Sequence, residues 1–239
     1  MPLQVEGLHA GYGRVRVLHG VGVEVDARRV GLFGPNGHGK TTLLRAISGL
    51  VKPSAGRVIF EGRDIAGLSP PEIVALGLVH VPQGSTLLPG MTVMEALTLG
   101  AYAKRAWGER RRTLEEVFHI FPRLAERRRQ RCNTLSGGER QMAAIGAGLM
   151  GRPRLLMLDE PTLGLAPKLR ATLAKAIHEI AATGVGLLVV DQDIDMLLGL
   201  CDRIVTLRRG RTVAEFGPGA SEHEVLAVAE ANEDREVVG

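Results

Sequence analysis

Three features that would place a protein in a membrane or outside the cell are missing from this chain of 239 residues. No apolar stretch approaches the roughly 18 to 20 residues needed to cross a bilayer. Residues 1–6 have neither the basic nor the apolar region of a signal peptide. The two cysteines, Cys132 and Cys201, form no CxxC pair, which argues against a disulfide framework or a zinc site. We therefore expect a soluble, intracellular chain.

Aromatic residues are also scarce, at 3% of the chain. The net charge of +4 and the isoelectric point near 9.4 make nucleic acid a partner to consider. However, the arginine runs at 110–112 and 127–131 are interleaved with glutamates, and few aromatic side chains are present on which bases could stack. We expect no nucleic-acid partner. The basic runs fit a solvated helix face, or a surface close to anionic lipid headgroups.

The apolar pattern predicts an α/β fold. Hydrophobic residues make up 45% of the chain and charged residues 23%, as in an ordinary globular protein with a sizeable core. Apolar residues recur at helical spacing from 92 to 150, and again near 167–182 and 194–200. A short acidic helix is predicted after 221, with a frayed end at 232–236. The order indicates parallel strands buried between helices. Strands are predicted at 3–8, 21–25, 30–33, 57–60, 155–158, 185–190 and 204–207, the last forming a hairpin with 212–216.

The strongest local pattern is a phosphate-binding loop, G-x-x-x-x-G-K-[ST], between the strand at 30–33 and a helix at 41–47. Glycines in this pattern let backbone N–H groups surround phosphate oxygens, while the lysine reaches the terminal phosphates. The helix N-terminus then faces the anion. The loop and its first helical residues are Gly34, Pro35, Asn36, Gly37, His38, Gly39, Lys40, Thr41 and Thr42. We expect His38, at a variable position, to point out of the loop.

Two adjacent carboxylates, Asp159 and Glu160, follow an apolar strand. Open α/β sheets bind ligands at this carboxyl end of their strands. We expect Asp159 to hold Mg²⁺, mostly through water, together with the Thr41 hydroxyl and the phosphates. Glu160 is then the candidate to orient or deprotonate the attacking water. The alternative is that both carboxylates only cap the following helix.

A second glycine-bearing helix start lies at 135–141, with the sequence LSGGERQ. Ser136 is a candidate N-cap, and Gly137 and Gly138 leave backbone N–H groups open to an anion. By itself this pattern is only a helix cap. However, three motifs occur in order along the chain: the phosphate loop, LSGGERQ, and Asp-Glu at the end of an apolar strand. With this order the chain resembles the nucleotide-binding subunit of an ABC transporter. The resemblance covers nearly the whole chain, from Leu3 to about Phe216.

The resemblance implies a P-loop NTPase core of ABC type, with an N-terminal antiparallel β subdomain and an inserted helical subdomain. Residues 1–90 and 152–220 would form the core with its β subdomain, and 221–239 a C-terminal helix and tail. Residues 91–151, here named the helical insertion, would carry the LSGGERQ signature. ATP and Mg²⁺ are the implied cofactors. The implied catalytic residues are Lys40, Glu160 and Gln192.

Further binding roles follow from the same resemblance. In that family the signature segment of one subunit completes the ATP site of the other. Ser136, Gly137 and Gly138 would therefore contact the γ-phosphate across a head-to-tail dimer. Tyr12 resembles the aromatic residue that stacks on adenine; the alternative is a surface-turn tyrosine. Gln83 resembles the glutamine that contacts Mg²⁺ and water and links the core to the helical insertion.

Two positions depart from the family pattern. Ala166 stands where an aspartate is usual after Glu-Pro-Thr, and Gln192 stands where the family has a switch histidine. A glutamine can donate a hydrogen bond to the γ-phosphate but cannot carry a positive charge, so we expect hydrolysis without a protonated imidazole. Together with the segments 162–167, 121–127 and 91–93, these departures resemble the second ATPase of importers for branched-chain amino acids, urea and short amides.

That narrower resemblance implies several partners. They are a second ABC ATPase subunit, in a heterodimer or a homodimer, two transmembrane permeases and, indirectly, an extracytoplasmic binding protein. The loop 84–91 and the helices to about Arg131 resemble the region where a cytoplasmic permease helix docks, which would place the chain at the cytoplasmic face of the inner or plasma membrane. Alternatives are an ABC ATPase of an iron–sulfur assembly pathway and the ATPase of a lipid or lipopolysaccharide exporter. A phosphate-loop kinase or GTPase leaves LSGGERQ unexplained.

Overall fold

The computed structural model describes residues 3–26, 29–84 and 87–230. Among them, no helix is both long and apolar enough to span a membrane. The strands are β1 Leu3–Tyr12, β2 Val15–Val25, β3 Arg29–Phe33, β4 Ala55–Phe60, β5 Arg63–Asp64, β6 Leu78–Val81, β7 Leu155–Asp159, β8 Gly186–Asp191, β9 Arg203–Arg208 and β10 Arg211–Phe216. The helices are α1 Lys40–Ile47, α2 Pro70–Leu76, α3 Val93–Gly100, α4 Lys104–Trp107, α5 Arg110–Ile120, α6 Pro122–Glu126, α7 Gly137–Met150, α8 Pro167–Ala182, α9 Ile194–Leu200 and α10 Glu222–Glu230.

The central layer is a six-stranded sheet in the order β10-β9-β3-β8-β7-β6. β3 and β6 to β9 run parallel, and β10 closes the edge as the antiparallel partner of β9. Every residue of β7 and β8 is buried, as expected for parallel strands covered on both faces. The carboxyl ends of β3, β8 and β7 therefore lie side by side. The phosphate loop, Gln192 and Glu160 follow these three ends.

A second sheet, in the order β2-β1-β4-β5, is antiparallel throughout. Gly13, at a φ of 57°, lies in the short turn of the β1–β2 hairpin. Leu3, Val5 and Leu8 share one hydrophobic cluster with α1 and with β3. Both hairpin strands are longer than predicted, because pairing continues to Tyr12 opposite Val15. The sheet thus packs beside the phosphate loop.

The helical insertion contains α3 to α7. Thr92 and Ser136 cap α3 and α7: each hydroxyl accepts a hydrogen bond from the backbone N–H three residues on, and Glu95 or Glu139 accepts from the cap residue in return. These reciprocal capping boxes satisfy N–H groups that a helix start leaves unpaired. The predicted caps at both helices are confirmed. Buried faces of α3, α5 and α7 form a second cluster with β6 and β7.

The expected α/β fold, with an antiparallel β subdomain and a helical insertion, is confirmed. α8 and α9 begin and end at the predicted residues. β5, α2 and β6 were absent from the sequence predictions, and β6 matters most because Gln83 lies two residues beyond its end. The acidic helix predicted after 221 is α10. The frayed end predicted at 232–236 lies outside the described residues.

Candidate functional site

The phosphate loop begins where β3 ends and leads directly into α1. Gly37 and Gly39 adopt φ angles of 79° and 103°, which side chains with a Cβ disfavour, so the loop can turn tightly. A Cβ at Gly34 would collide with the β9 backbone. The carbonyl oxygen of His38 accepts a hydrogen bond from the Gly210 N–H at 3.0 Å, in the β9–β10 turn. The neighbouring strand pair therefore fixes the loop in position.

Lys40 is the first residue of α1 and is only 4% exposed. Its Nζ donates hydrogen bonds to the carbonyl oxygens of Gly34 (2.7 Å) and Pro35 (3.2 Å). The same atom lies 3.5 Å from Oε1 of Glu160. A buried ammonium group is costly unless oxygens surround it. These three oxygens surround the Lys40 ammonium group at the mouth of the loop. Phosphate oxygens of a bound ligand can replace them as its hydrogen-bond acceptors.

Asp159 and Thr41 form the candidate Mg²⁺ site. The Thr41 hydroxyl donates to Oδ1 of Asp159 at 3.4 Å, and Asp159 is 1% exposed. Burial raises the pKa of Asp159, and the nearby Glu160 charge raises it further. Its buried Oδ2 has no hydrogen-bond partner within the described residues. An unpaired hard oxygen beside a hydroxyl fits Mg²⁺, which is usually held by one or two protein oxygens, waters and phosphates. No cluster of three or more His, Cys, Asp or Glu suited to a metal occurs among the described residues.

Glu160 occupies a strained position immediately after β7. Its φ is 45°, unusual for a residue with a Cβ, and its N–H donates to the Val190 carbonyl oxygen at 2.7 Å. The carboxylate is 8% exposed. Its Oε2 accepts a hydrogen bond from Nε2 of Gln83 at 2.9 Å. Strain of this kind persists where surrounding contacts enforce it, and it is common at functional sites. Here it aims a carboxylate at Lys40.

Gln192 follows β8 and joins the phosphate loop: its Oε1 accepts from Nδ2 of Asn36 at 2.9 Å. Asp191, buried at 2% exposure, was not singled out from the sequence. Its Oδ1 accepts from the N–H groups of Gln192 (2.8 Å) and Asp193 (3.0 Å). Its Oδ2 accepts from the Thr162 hydroxyl at 2.9 Å. The available signal was a carboxylate directly after an apolar strand, the same pattern that identified Asp159.

Lys40, Glu160 and Gln192 line a cavity of about 480 Å³. The buried carboxylates of Asp159 and Asp191 do not line it. The helical positions Thr41 and Thr42 reach it, as do Gln83, Glu160 and Gln192. Two further lining residues, Val17 and Leu163, had no distinguishing sequence signal. Within the described part of the chain, the lining residues are Val17, Asn36, Gly37, Gly39, Lys40, Thr41, Thr42, Gln83, Glu160, Leu163 and Gln192. Parts of the chain that are far apart in sequence thus form one polar site at the carboxyl edge of the sheet.

Tyr12 and His38 lie at the border of this cavity region without lining the cavity itself. Tyr12 is 45% exposed, and its hydroxyl accepts a hydrogen bond from Nη1 of Arg45 at 3.2 Å. His38 does not line the cavity, as expected for a variable loop position. Its imidazole is half-buried with Nδ1 shielded from solvent, because the loop packs on the β9–β10 turn. Burial, followed by the charges of Lys40 and Arg209, lowers the pKa of His38.

The signature segment starts α7. Besides its capping role, Glu139 pairs with Arg127 across a distance of 2.6 Å, which ties the helix start to the turn after α6. A Cβ at Gly138 would lie 2.7 Å from Cδ1 of Leu169, so a side chain there would force the end of the Leu169 side chain to move. Of the described residues, none from Ser136 to Gly138 lines the nucleotide-sized cavity of the same chain.

A largely apolar groove of about 310 Å³ lies between β6 and the helical insertion. Leu88, Leu99 and Tyr102 are 54%, 49% and 54% exposed, an unusual concentration for a soluble surface. The groove, here named the insertion groove, is lined by Val74, Val79, His80, Val81, Pro82, Leu87, Leu88, Met91, Ala96, Leu99, Gly100, Tyr102, Ala144, Ala147, Gly148 and Gly151. It begins beside the strand that leads to Gln83.

Comparisons with known proteins agree with this geometry. The family described as ABC transporter matches residues 18–163. BraG of Pseudomonas aeruginosa, a high-affinity branched-chain amino acid transport ATP-binding protein, is 39% identical over 203 residues, covering 84% of this chain and 87% of BraG. LptB of Acidithiobacillus ferridurans, a lipopolysaccharide export system ATP-binding protein, is 33% identical over 224 residues, covering 90% of each chain.

A solved structure is similar over nearly the same length. It is the ADP conformation of an ATP-binding cassette of an ABC transporter, with a TM-score of 0.81 and 28% sequence identity. The similarity covers 95% of this chain and 94% of that cassette. The described cavity is therefore found on a fold that holds an adenine nucleotide in a related protein.

Proposed function

This chain belongs to the ABC transporter family, as its three motifs indicate, and we propose that it is the ATP-driven motor subunit of an importer for branched-chain or other hydrophobic amino acids or related small amides. It is an ATP hydrolase of the ABC type, like the cassettes it resembles. The observation that carries the motor part of the proposal is the convergence of Lys40, Gln83, Glu160 and Gln192 on one cavity.

We assign the steps of hydrolysis to side chains of this cavity. Lys40 and the loop N–H groups bind the β- and γ-phosphates. Glu160, held by Gln83, orients the attacking water and accepts its proton. Because Oε1 of Gln192 accepts from Asn36, its Nε2 group remains to donate to the γ-phosphate. Mg²⁺, when bound by Asp159 and Thr41, neutralises charge on the phosphates.

A head-to-tail dimer completes this proposal. Ser136 to Gly138 form a helix N-terminus, whose N–H groups and dipole favour an anion, yet they lie outside the cavity lining of their own chain. In the proposed dimer they contact the γ-phosphate bound by the partner ATPase. ATP would then hold the two subunits together, and hydrolysis would release them.

The insertion groove is the proposed docking site for a permease. Its exposed leucines and Tyr102 offer the apolar surface that an amphipathic helix requires. The groove lies next to β6, and Gln83 continues that strand into the catalytic cavity. A permease helix in the groove would therefore sense the hydrogen bond between Gln83 and Glu160. This continuity supports a transport motor over an assembly ATPase.

The proposed substrate class depends on the relatives rather than on the cavity. BraG supports amino-acid import, in agreement with the subfamily features at Ala166 and Gln192. LptB supports the second candidate, an ATPase of a lipopolysaccharide exporter. The transported molecule does not contact this subunit, so the permeases that bind the insertion groove decide between the two.

Affinity capture from detergent-solubilised native membranes tests the proposal. Two multi-span permeases of the amino-acid import type with a second ATPase would support it, and an extracytoplasmic binding protein could then be screened for its ligand. Permeases of a lipopolysaccharide exporter would favour the second candidate. Recovery with soluble proteins only would refute a transport role.

A matched pair of variants makes the capture specific to the insertion groove. Leu99→Asp places a charge in the groove and should remove the permeases from the captured complex. Leu50→Asp changes a leucine of similar exposure, 58% against 49% for Leu99, that does not line the groove. It should leave the complex intact. If both variants or neither lose the permeases, the groove is not the docking site.

A further inference from the structure

A second large cavity, of about 1080 Å³, lies between the helical insertion and the core. It shares no lining residue with the nucleotide cavity. Its apolar floor includes Val117, Ile120, Leu149 and Ile180. Charged residues surround this floor, and we name the site the arginine cleft. They are Arg105, Glu109, Arg112 and Glu116 from the helical insertion, and Glu61, Arg152 and Arg154 from the core.

Three of the four arginines in the cleft already have a carboxylate partner. Arg152 lies 2.9 Å from Glu109, Arg154 lies 2.6 Å from Glu61, and Arg112 lies 3.1 Å from Glu116. All six side chains are 41% to 73% exposed, so these pairs are weak and readily rearranged. In each pair a single guanidinium nitrogen makes the contact, which leaves other N–H groups of the planar fork for a second acceptor.

The fourth arginine, Arg105, carries the excess positive charge of the cleft, because the other three arginines are each paired with a glutamate. Within the described residues it has no carboxylate partner, and its Nη2 donates to the carbonyl oxygens of Gly151, at 3.1 Å, and Arg152. Its Nε is buried and lacks an acceptor among the same residues. Burial, then the positive charges of Arg154 and Arg152, lower the pKa of Arg105. Four arginines and three glutamates line the cleft, so its net charge is positive.

Arg152 lies directly after the C-cap Gly151 of α7, and its N–H donates to the Leu149 carbonyl oxygen at 2.8 Å, which ends the helix. Its φ is 49°, in the left-handed region that a residue with a Cβ rarely adopts. Nothing in the turn demands arginine for this geometry, since glycine would adopt it without strain. The strained turn places the Arg152 side chain beside Glu109, across the cleft. The end of α7 thus brings a guanidinium group of the core to the wall formed by the helical insertion.

We propose that the arginine cleft binds a compact anion with several phosphate groups, such as tripolyphosphate, that bridges the helical insertion and the core. Planar guanidinium groups on both walls match the bidentate geometry of phosphate oxygens. The volume is that of a small-molecule site. Among the described residues, no aromatic side chain lines the cleft, so they offer a nucleotide base no stacking surface there. This inference does not depend on the transported substrate or on dimer formation.

Isothermal titration of the full chain with tripolyphosphate tests the inference. The Lys40→Ala background is used, because the phosphate loop would otherwise bind the same probe. In that background we expect saturable binding at one site per chain. ATP should bind this site no more tightly than tripolyphosphate does. Tighter binding of ATP by tenfold or more would assign the signal to the nucleotide cavity and overturn the proposal, as would the absence of binding.

Two double substitutions that remove equal charge separate the cleft from general electrostatics. Arg112→Gln with Arg154→Gln, both exposed and one on each wall of the cleft, should weaken binding at least tenfold. Arg111→Gln with Arg129→Gln removes the same charge from residues that do not line the cleft and should change affinity less than threefold. Equal losses in both double variants would overturn the proposal. Thermal melts of each variant confirm that the fold persists.

Discussion

The substitution Glu160→Gln tests the assigned chemistry most directly, because it removes one charge and almost no volume. The side chain is 8% exposed, and the amide can still accept the 2.9 Å hydrogen bond from Gln83 through its own oxygen. What disappears is the ability to accept a proton from water. The ionic contact with Lys40 at 3.5 Å disappears as well.

The structure sets the expected magnitudes. Loss of a positioned general base lowers a rate by about 10²- to 10⁴-fold, equal to about 3 to 5 kcal/mol of transition-state free energy. Two unit charges at the Lys40–Glu160 distance attract by about 5 kcal/mol at an effective dielectric constant near 20. Most of that lost attraction is offset, because the substitution also removes the cost of keeping a charged carboxylate out of water. Lys40 also keeps its two carbonyl acceptors, so the fold should survive while hydrolysis fails.

Phosphate release at saturating ATP and Mg²⁺ measures turnover, and size-exclusion chromatography with the same ligands measures dimerisation. We expect turnover at least 100-fold below that of the unmodified chain, together with an ATP-dependent dimer that persists. The control Lys40→Ala should lose ATP binding and the dimer alike. A Glu160→Gln chain that hydrolyses ATP at the unmodified rate would refute the role assigned to Glu160.

Three further predictions follow from buried polar groups. The pKa of Asp159 is raised, so the folded state favours the protonated carboxyl and is destabilised once Asp159 ionises as the pH rises. Asp159→Asn removes that charge and should raise Tm at pH 7 without ligand, by about 2 to 4 °C for each kcal/mol of unfolding free energy gained. The same substitution should abolish Mg²⁺-dependent hydrolysis. Asp191→Ala should lower kcat more than it raises the KM for ATP, and more than Gln192→Ala does, since Asp191 positions the whole turn; equal effects would contradict this. Burial lowers the pKa of His80 to about 4, so its stabilising contribution is present above pH 6.5 and lost as the pH falls toward 4. Urea titrations should show that His80→Gln removes up to about 3 kcal/mol of that acid sensitivity.

Sequence reasoning identified side chains whose chemistry is tied to a local pattern. Gly34 to Thr42 lie at a strand–helix junction, and their pattern fits one short window: glycines for a tight turn, a lysine at a helix start and a hydroxyl one residue later. Asp159 and Glu160 were found in the same way, because four buried apolar residues before them predict a strand end. The N-caps at Thr92 and Ser136 were equally local. Patterns confined to one element were therefore sufficient for these features.

Features that depend on contacts between distant segments were not predictable. Asp191 has the same sequence signal as Asp159, but its role arises only because β7 and β8 are neighbours, which brings the Thr162 hydroxyl within 2.9 Å. His38 occupies a variable loop position, and its burial depends on the β9–β10 turn. Leu163 lines the cavity because it follows closely on Glu160. No sequence pattern predicts the positive φ of Glu160. The arginine cleft illustrates the same limit most fully: its basic residues read in sequence as solvated helix faces, and only the packing of the helical insertion on the core makes them one site.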